Sequence, residues 1–162
     1  MENPSNIHLI AGVSGSGKTS VGQALAQRLA VPFFDADAFH PQANLTKMEQ
    51  GHPLTDADRW PWLQALNTHL RQQTNTGCVL ACSALKESYR QVLAEGLGNE
   101  VLWVFLTGTF ELIHTRMQQR NHFMPPALLQ SQFDAWETPP YGLQLDVAET
   151  VESLVNQIIA HG

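Results

Sequence analysis

Cysteine is nearly absent from this chain, and the scarcity closes two routes at once. The only two, Cys78 and Cys82, share one apolar, strand-like run. At about 3.3 Å rise per residue their Cα atoms stand roughly 13 Å apart, beyond disulfide reach. No further cysteine completes a zinc set, so both read as small buried hydrophobes. Positive charge is scarce too: 9 lysines and arginines face 15 acidic residues, for a formal charge of −6. That balance excludes broad contact with nucleic acid or an anionic membrane, either of which needs a basic face, and leaves small molecules as the expected partners. Long hydrophobic runs are missing as well. The apolar stretch 7–13 is far shorter than a membrane span, and no basic leader or small-residue cleavage site precedes it, which points to a cytoplasmic protein. The 7 histidines never take a metal spacing such as H-E-x-x-H. An Asn-Lys-x-Asp guanine signature is also absent, which removes the regulatory GTPases.

What is present fits one domain. A chain of 162 residues, 43% of them hydrophobic, can bury one ordinary core and is too short for two comfortable ones, so residues 1–162 are expected to form a single unit. Short apolar runs at 7–13, 32–36, 78–83, 101–106 and 143–147 alternate with helical patterns, the signature of an α/β protein built on a parallel sheet. Val21, Ala24, Leu25 and Leu29 mark one helix face, and Val151, Leu154, Val155, Ile158 and Ile159 mark another. Thr55 and Asp58 have the spacing of a capping box. Pro61, shortly after, requires the helix either to kink or to restart with Pro61 in its first turn, and Leu63, Leu66 and Leu70 then supply the buried stripe. The stretch Asn121 to Pro126 is the expected mobile segment.

Directly after the first strand comes Gly12-Val13-Ser14-Gly15-Ser16-Gly17-Lys18-Thr19, a complete G-x-x-x-x-G-K-[ST] pattern opening an amphipathic helix. Its glycines let consecutive backbone N–H groups turn inward on a phosphate, and the helix adds its positive end. The pattern predicts a nucleotide site made of Gly12 to Thr19 with Ser20. Lys18 is expected to bridge β- and γ-phosphate oxygens, and the Thr19 hydroxyl to bind Mg2+. The predicted cofactor set is therefore ATP with magnesium.

Asp35-Ala36-Asp37 closes the second apolar run, and a two-residue period sends both carboxylates to one side of an extended chain. In open parallel sheets ligands sit beyond the carboxyl ends of the strands, so the pair should face the phosphate loop. Asp35 is assigned to the metal, through water, and Asp37 to an acceptor hydroxyl as its base. The competing role is a cap on the next turn. Arg28 and Arg71 read as plain surface charges. Lys18, Lys47, Arg59, Lys86, Arg90, Arg116 and Arg120 all follow strands or adjoin the mobile segment, and as a set they read as a basic lining for anionic ligands. Arg116 and Arg120 stand one helical turn apart, where a closing lid would carry cations to the phosphates. Among the histidines, His40 and His122 stand out by position.

These residues bring the chain close to a known family. Gly12 to Thr19, Asp35 to Pro41, Gly51 to Leu63, Cys82 to Lys86 with Tyr89-Arg90, and His122-Phe123-Met124 with Ser131-Gln132-Phe133 resemble the gluconokinases, with agreement from about residue 7 to 160. The resemblance departs at Thr19, where the family usually has serine, and at Ala38, where it often has an acidic residue. It implies a three-layer P-loop NTPase fold like the nucleoside monophosphate kinases: a five-stranded parallel sheet in the order 2-3-1-4-5, flanking helices, and a lid at about 117–135. It implies an enzyme that converts ATP and D-gluconate to ADP and 6-phosphogluconate, as a homodimer. By analogy with the related shikimate kinases, Asp37 should meet the reacting hydroxyl, Arg59 the substrate carboxylate, Arg116 the adenine and Arg120 the phosphates. Lys86, Arg90 and His40 are further substrate candidates. A kinase for another small hydroxy acid, shikimate included, and a non-catalytic nucleotide-binding module are the competing readings.

Overall fold

The computed structural model describes residues 6–120 and 125–161. His122 and the greater part of the expected mobile segment lie outside them. Five strands form one parallel sheet in the order β2-β3-β1-β4-β5, as expected. They are β1 (Ile7–Ala11), β2 (Phe33–Asp35), β3 (Cys78–Cys82), β4 (Val101–Thr107) and β5 (Leu143–Asp146). The register pairs Ala11 with both Cys82 and Phe105, so β1 and β3 end level and β4 runs two residues further. Every residue of β3 is buried, as in a strand covered on both faces. Cys78 and Cys82 are both free and buried in it.

Right-handed crossovers decide which helix covers which face. Helix α1 (Lys18–Leu29) links β1 to β2, two positions away. The chain then reverses direction across the sheet, so α3 (Asp56–Gln72) and α4 (Glu87–Leu93) cover the opposite face. Helix α7 (Val151–His161) returns to pack on α1. Its Leu154, Val155 and Ile158 are buried, but Val151, expected on the same stripe, is 37% exposed at the first turn. Helix α2 (Gln42–Glu49) follows β2, and α5 (Phe110–Gln119) and α6 (Pro126–Ala135) stand between β4 and β5. Met117 and Leu129 are both buried, so the segment expected as a lid has core residues on α5 and α6.

Local chemistry sets two boundaries: the end of β2, which periodicity missed, and the start of α3, which the capping-box spacing predicted. The Asp35 carboxylate accepts the Asp37 N–H at 3.0 Å, winding Ala36–Phe39 into a 3-10 turn. Asp37 thus projects from a turn rather than from an extended strand, and β2 is shorter than predicted. Helix α3 does not restart at Pro61; it runs unbroken from Asp56, with Pro61 in its second turn. There the proline costs one i−4 hydrogen bond, while Leu63, Leu66 and Leu70 bury completely. The start of α3 is held by a capping box. Asp58 N–H donates to Thr55 Oγ1 at 3.1 Å, and Thr55 N–H donates to Asp58 Oδ2 at 2.8 Å. Lys47, expected in the ligand lining, instead donates to the same oxygen at 2.7 Å. Lys47, and after it the Thr55 N–H, hold the Asp58 carboxyl down at about 2.

Arg90, expected at the substrate, is a structural residue. It is 1% exposed, with its guanidinium 5.1 Å from the Phe105 ring centre and 4.9 Å from that of Trp136. It donates to the carbonyls of Ala84 at 2.8 Å, Leu85 at 3.1 Å and Glu137 at 2.7 Å. These bonds hold Ala84 at φ 41 and tie the end of α6 to the start of α4. Arg90→Ala would leave the Ala84 and Glu137 carbonyls without their donor, at roughly 1–3 kcal/mol each, and would strip the packing on Phe105 and Trp136, while Leu85 keeps the Glu137 N–H at 2.9 Å. A stability loss of about 3 kcal/mol or more is expected from urea unfolding; a loss below about 1 kcal/mol would contradict this role.

Candidate active site

The loop after β1 and the 3-10 turn after β2 open on the same side of the sheet, beyond the carboxyl ends of the strands. Between them and helix α6 lies a cavity of about 800 Å³. Along it the structure gathers Ser14, Gly15, Gly17, Lys18, Thr19 and Ser20 from the loop and α1, with Asp35, Asp37, His40, Arg59 and Arg120 around them. The remaining loop positions sit behind this wall: Gly12 and Val13 are buried, and Ser16 is 3% exposed.

Two glycines are needed for this shape. Gly17 caps α1 at φ +99, a conformation that L side chains rarely adopt. Gly15 has φ +78, and a Cβ there would stand 2.4 Å from Met117 Cγ, so α5 packs directly on the back of the loop. Lys18 Nζ donates to the Val13 carbonyl at 3.0 Å, which folds its ammonium over the loop. Burial pushes its pKa below the ordinary lysine value, and the charges of Asp37 and Asp35 oppose that fall.

His40 is held on three sides. Asn44 Nδ2 lies 3.2 Å from its Nδ1, its ring stacks on Trp62 at 4.1 Å, and its Nε2 is 3.9 Å from Asp37 Oδ1. With Asn44 as donor, the imidazole proton belongs on Nε2, the side of Asp37. Burial lowers the His40 pKa, which keeps the ring neutral more readily, although Asp37 works the other way. Trp62 is fixed in turn by its Nε1 donating to the Ala36 carbonyl at 2.8 Å.

Two predicted residues lie off the cavity wall in addition to Lys47 and Arg90. Arg116 donates to the Val147 carbonyl, in the loop after β5. Lys86 pairs with Asp56 at 3.5 Å. Gln132 is among the cavity residues that received no role from sequence. Placed on α6, it accepts the Ser14 N–H at 2.7 Å and donates to Ser14 Oγ at 3.0 Å. It ties α6 to the phosphate loop across 118 positions of sequence, and its only sequence signal was the Ser131-Gln132-Phe133 block.

A strand, a glycine-rich loop with an invariant-spacing lysine, a helix beginning at that lysine, and two aspartates beyond the next strand define a P-loop kinase fold. Residues 14–139 match the family described as shikimate kinase. A probable gluconokinase of Rattus norvegicus is 46% identical over 159 residues, covering 86% of this chain and 85% of that protein. The thermosensitive gluconokinase of Escherichia coli (strain K12) is 45% identical over 157 residues, covering 94% of this chain and 81% of that one. The crystal structure of a gluconokinase from Sinorhizobium meliloti 1021 superposes with a TM-score of 0.88 at 41% identity, covering 98% of this chain and 92% of that one. A shikimate kinase from Aquifex aeolicus shares the fold at a TM-score of 0.61 and 15% identity, over 96% of this chain and 94% of that one. The chain belongs to the gluconokinase family, within the shikimate-kinase-like group of P-loop kinases.

Proposed function

We propose that the protein transfers the γ-phosphoryl group of ATP to D-gluconate, giving ADP and 6-phosphogluconate. The observation that carries this reading is the meeting, in one cavity, of the phosphate loop, the Asp37 carboxylate and Arg59, in a chain 45–46% identical to gluconokinases. Phosphoryl transfer asks for positioning and charge neutralisation rather than a covalent intermediate. The loop amides and Lys18 take the β- and γ-phosphates, and Arg120, at the end of α5 on the cavity wall, faces the transferring group. Asp37 takes the proton as the acceptor hydroxyl oxygen bonds to phosphorus, and the bond from phosphorus to the β–γ bridging oxygen breaks to release ADP. His40 orients Asp37 and the acceptor; Arg59 takes the carboxylate. Arg116, held to the loop after β5, is assigned to the adenine.

Magnesium fits the donor set. Thr19 and Asp35 offer hard oxygen ligands on one cavity, and no group of three or more His, Cys, Asp or Glu suited to a metal occurs among the described residues. That pattern suits an ion held by substrate phosphates with one or two protein oxygens. When bound, it neutralises charge on the β- and γ-phosphates. Asp35 would hold the ion through water while its carboxylate also caps the turn that carries Asp37. The proposal extends to a homodimer, on the family resemblance, and to the cytoplasm, where ATP is supplied; no described helix is long and apolar enough to cross a membrane.

A coupled assay of ADP release tests the acceptor. With MgATP present, gluconate should stimulate release and shikimate should not. A site built to hydrogen-bond substrate hydroxyls rejects an analogue lacking one by about 10⁴-fold. Equal rates with the two acids would overturn the gluconate assignment.

A further inference from the structure

Beside the cavity, four side chains form one charged knot. Asp56 and Arg59 come from the first turns of α3, Lys86 precedes α4, and Tyr89 lies in the first turn of α4. The Tyr89 hydroxyl donates to Asp56 Oδ1 and accepts from Arg59 Nη1 at 3.1 Å. Arg59 Nη1 also donates to the Leu54 carbonyl at 2.9 Å and stands 3.8 Å from Asp56 Oδ1. Lys86 Nζ lies 3.5 Å from that same oxygen. Both cations sit over the Tyr89 ring, Arg59 at 5.3 Å and Lys86 at 5.6 Å. Every hydrogen bond of Arg59 to the described residues therefore uses Nη1. The Nε–Nη2 edge, the other side of the fork, has no protein acceptor among them. Arg59 lines the cavity, whereas Tyr89, 3% exposed, and Asp56 do not.

We propose that Tyr89 and Asp56 are positioning residues for the acceptor's carboxylate: they fix Arg59 through one nitrogen, present its free edge to the cavity, and set the charge of that end. The proposal rests on the reading of Arg59 as the carboxylate contact. A guanidinium fork recognises a carboxylate by paired, parallel N–H donors, so its orientation matters as much as its charge. An arginine already held in place loses less freedom on binding than one that must be ordered by the ligand. Asp56 offsets one of the two cations, so Arg59, Lys86 and Asp56 together carry one net positive charge. That matches a single carboxylate and gives little extra attraction to a dianion.

Tyr89→Phe keeps the ring under both cations and removes only the hydroxyl. Its KM for gluconate should rise about tenfold, with kcat changed by about twofold at most and KM for ATP unchanged. D-Glucitol, the neutral polyol of the same length, should be an equally poor acceptor for wild type and variant. An unchanged KM for gluconate, or a parallel rise in both KM values, would overturn the positioning role. Asp56→Asn tests the charge balance at a half-exposed side chain, where folding is not at stake. At saturating ATP the dianion malonate should compete with gluconate several-fold better in this variant, and an unchanged inhibition constant would contradict the proposal. Arg59→Ala separates the layers. If it leaves KM for gluconate unchanged, the reading of Arg59 itself fails; if it raises KM and Tyr89→Phe does not, only the positioning proposal fails.

Discussion

Lys18→Met should lower kcat by about 10²–10³-fold, the usual consequence of removing one preorganised donor from a developing charge. The protein should nevertheless fold as well as before. Burial holds the Lys18 pKa below its ordinary value, which means that the folded state disfavours the ammonium relative to the unfolded chain. The charge therefore costs stability at neutral pH, a cost that is full below the folded pKa and fades as pH rises from there to the ordinary lysine value. A neutral side chain of similar length removes the cost. Thermal unfolding at pH 7 should accordingly show an equal or higher midpoint for the variant, alongside its loss of turnover. A variant that turned over at the wild-type rate would remove Lys18 from the chemistry. One that unfolded far below wild type would mean its bond to the Val13 carbonyl is a structural support.

Asp37→Asn should be comparably severe and differ in kind. The substitution keeps size and shape but cannot take the acceptor proton, and a positioned general base is worth about 10²–10⁴-fold. Asp37 stands on the 3-10 turn whose winding depends on its backbone N–H, not on its carboxylate, so the turn survives the change. ATP affinity, measured by titration calorimetry, should stay within a few-fold of wild type while kcat collapses. Lost affinity with preserved kcat would instead make Asp37 a nucleotide or metal contact.

The centre of the sheet was legible because its strands are largely buried and so read as apolar runs, β3 being the clearest, while the edge strands β2 and β5 are less covered. The phosphate loop was legible because its geometry demands glycine and its chemistry demands lysine at one spacing. Other features depend on contacts that no local pattern carries. The end of β2 is set by a side chain competing for a backbone N–H two residues on, which periodicity does not register. Arg90 follows a strand, as a ligand contact would, and only the fold brings Phe105 and Trp136 over it from later in the chain. Lys47 reads as a free cation until α2 places it on Asp58. Gln132 carries no charge and no motif of its own; its pairing with Ser14 appears only when α6 lies against the loop. The site was thus readable where chemistry forces residue identity, and unreadable where distant packing assigns a common residue its partner.

Phosphorus NMR of the protein mixed with magnesium, ATP and D-gluconate tests the central claim most directly, because it identifies the product rather than only the loss of ATP. ADP should appear together with a new phosphate monoester whose phosphorus couples to the two protons of a terminal carbon. An unchanged ATP spectrum, or ADP with free phosphate alone, would contradict the claim.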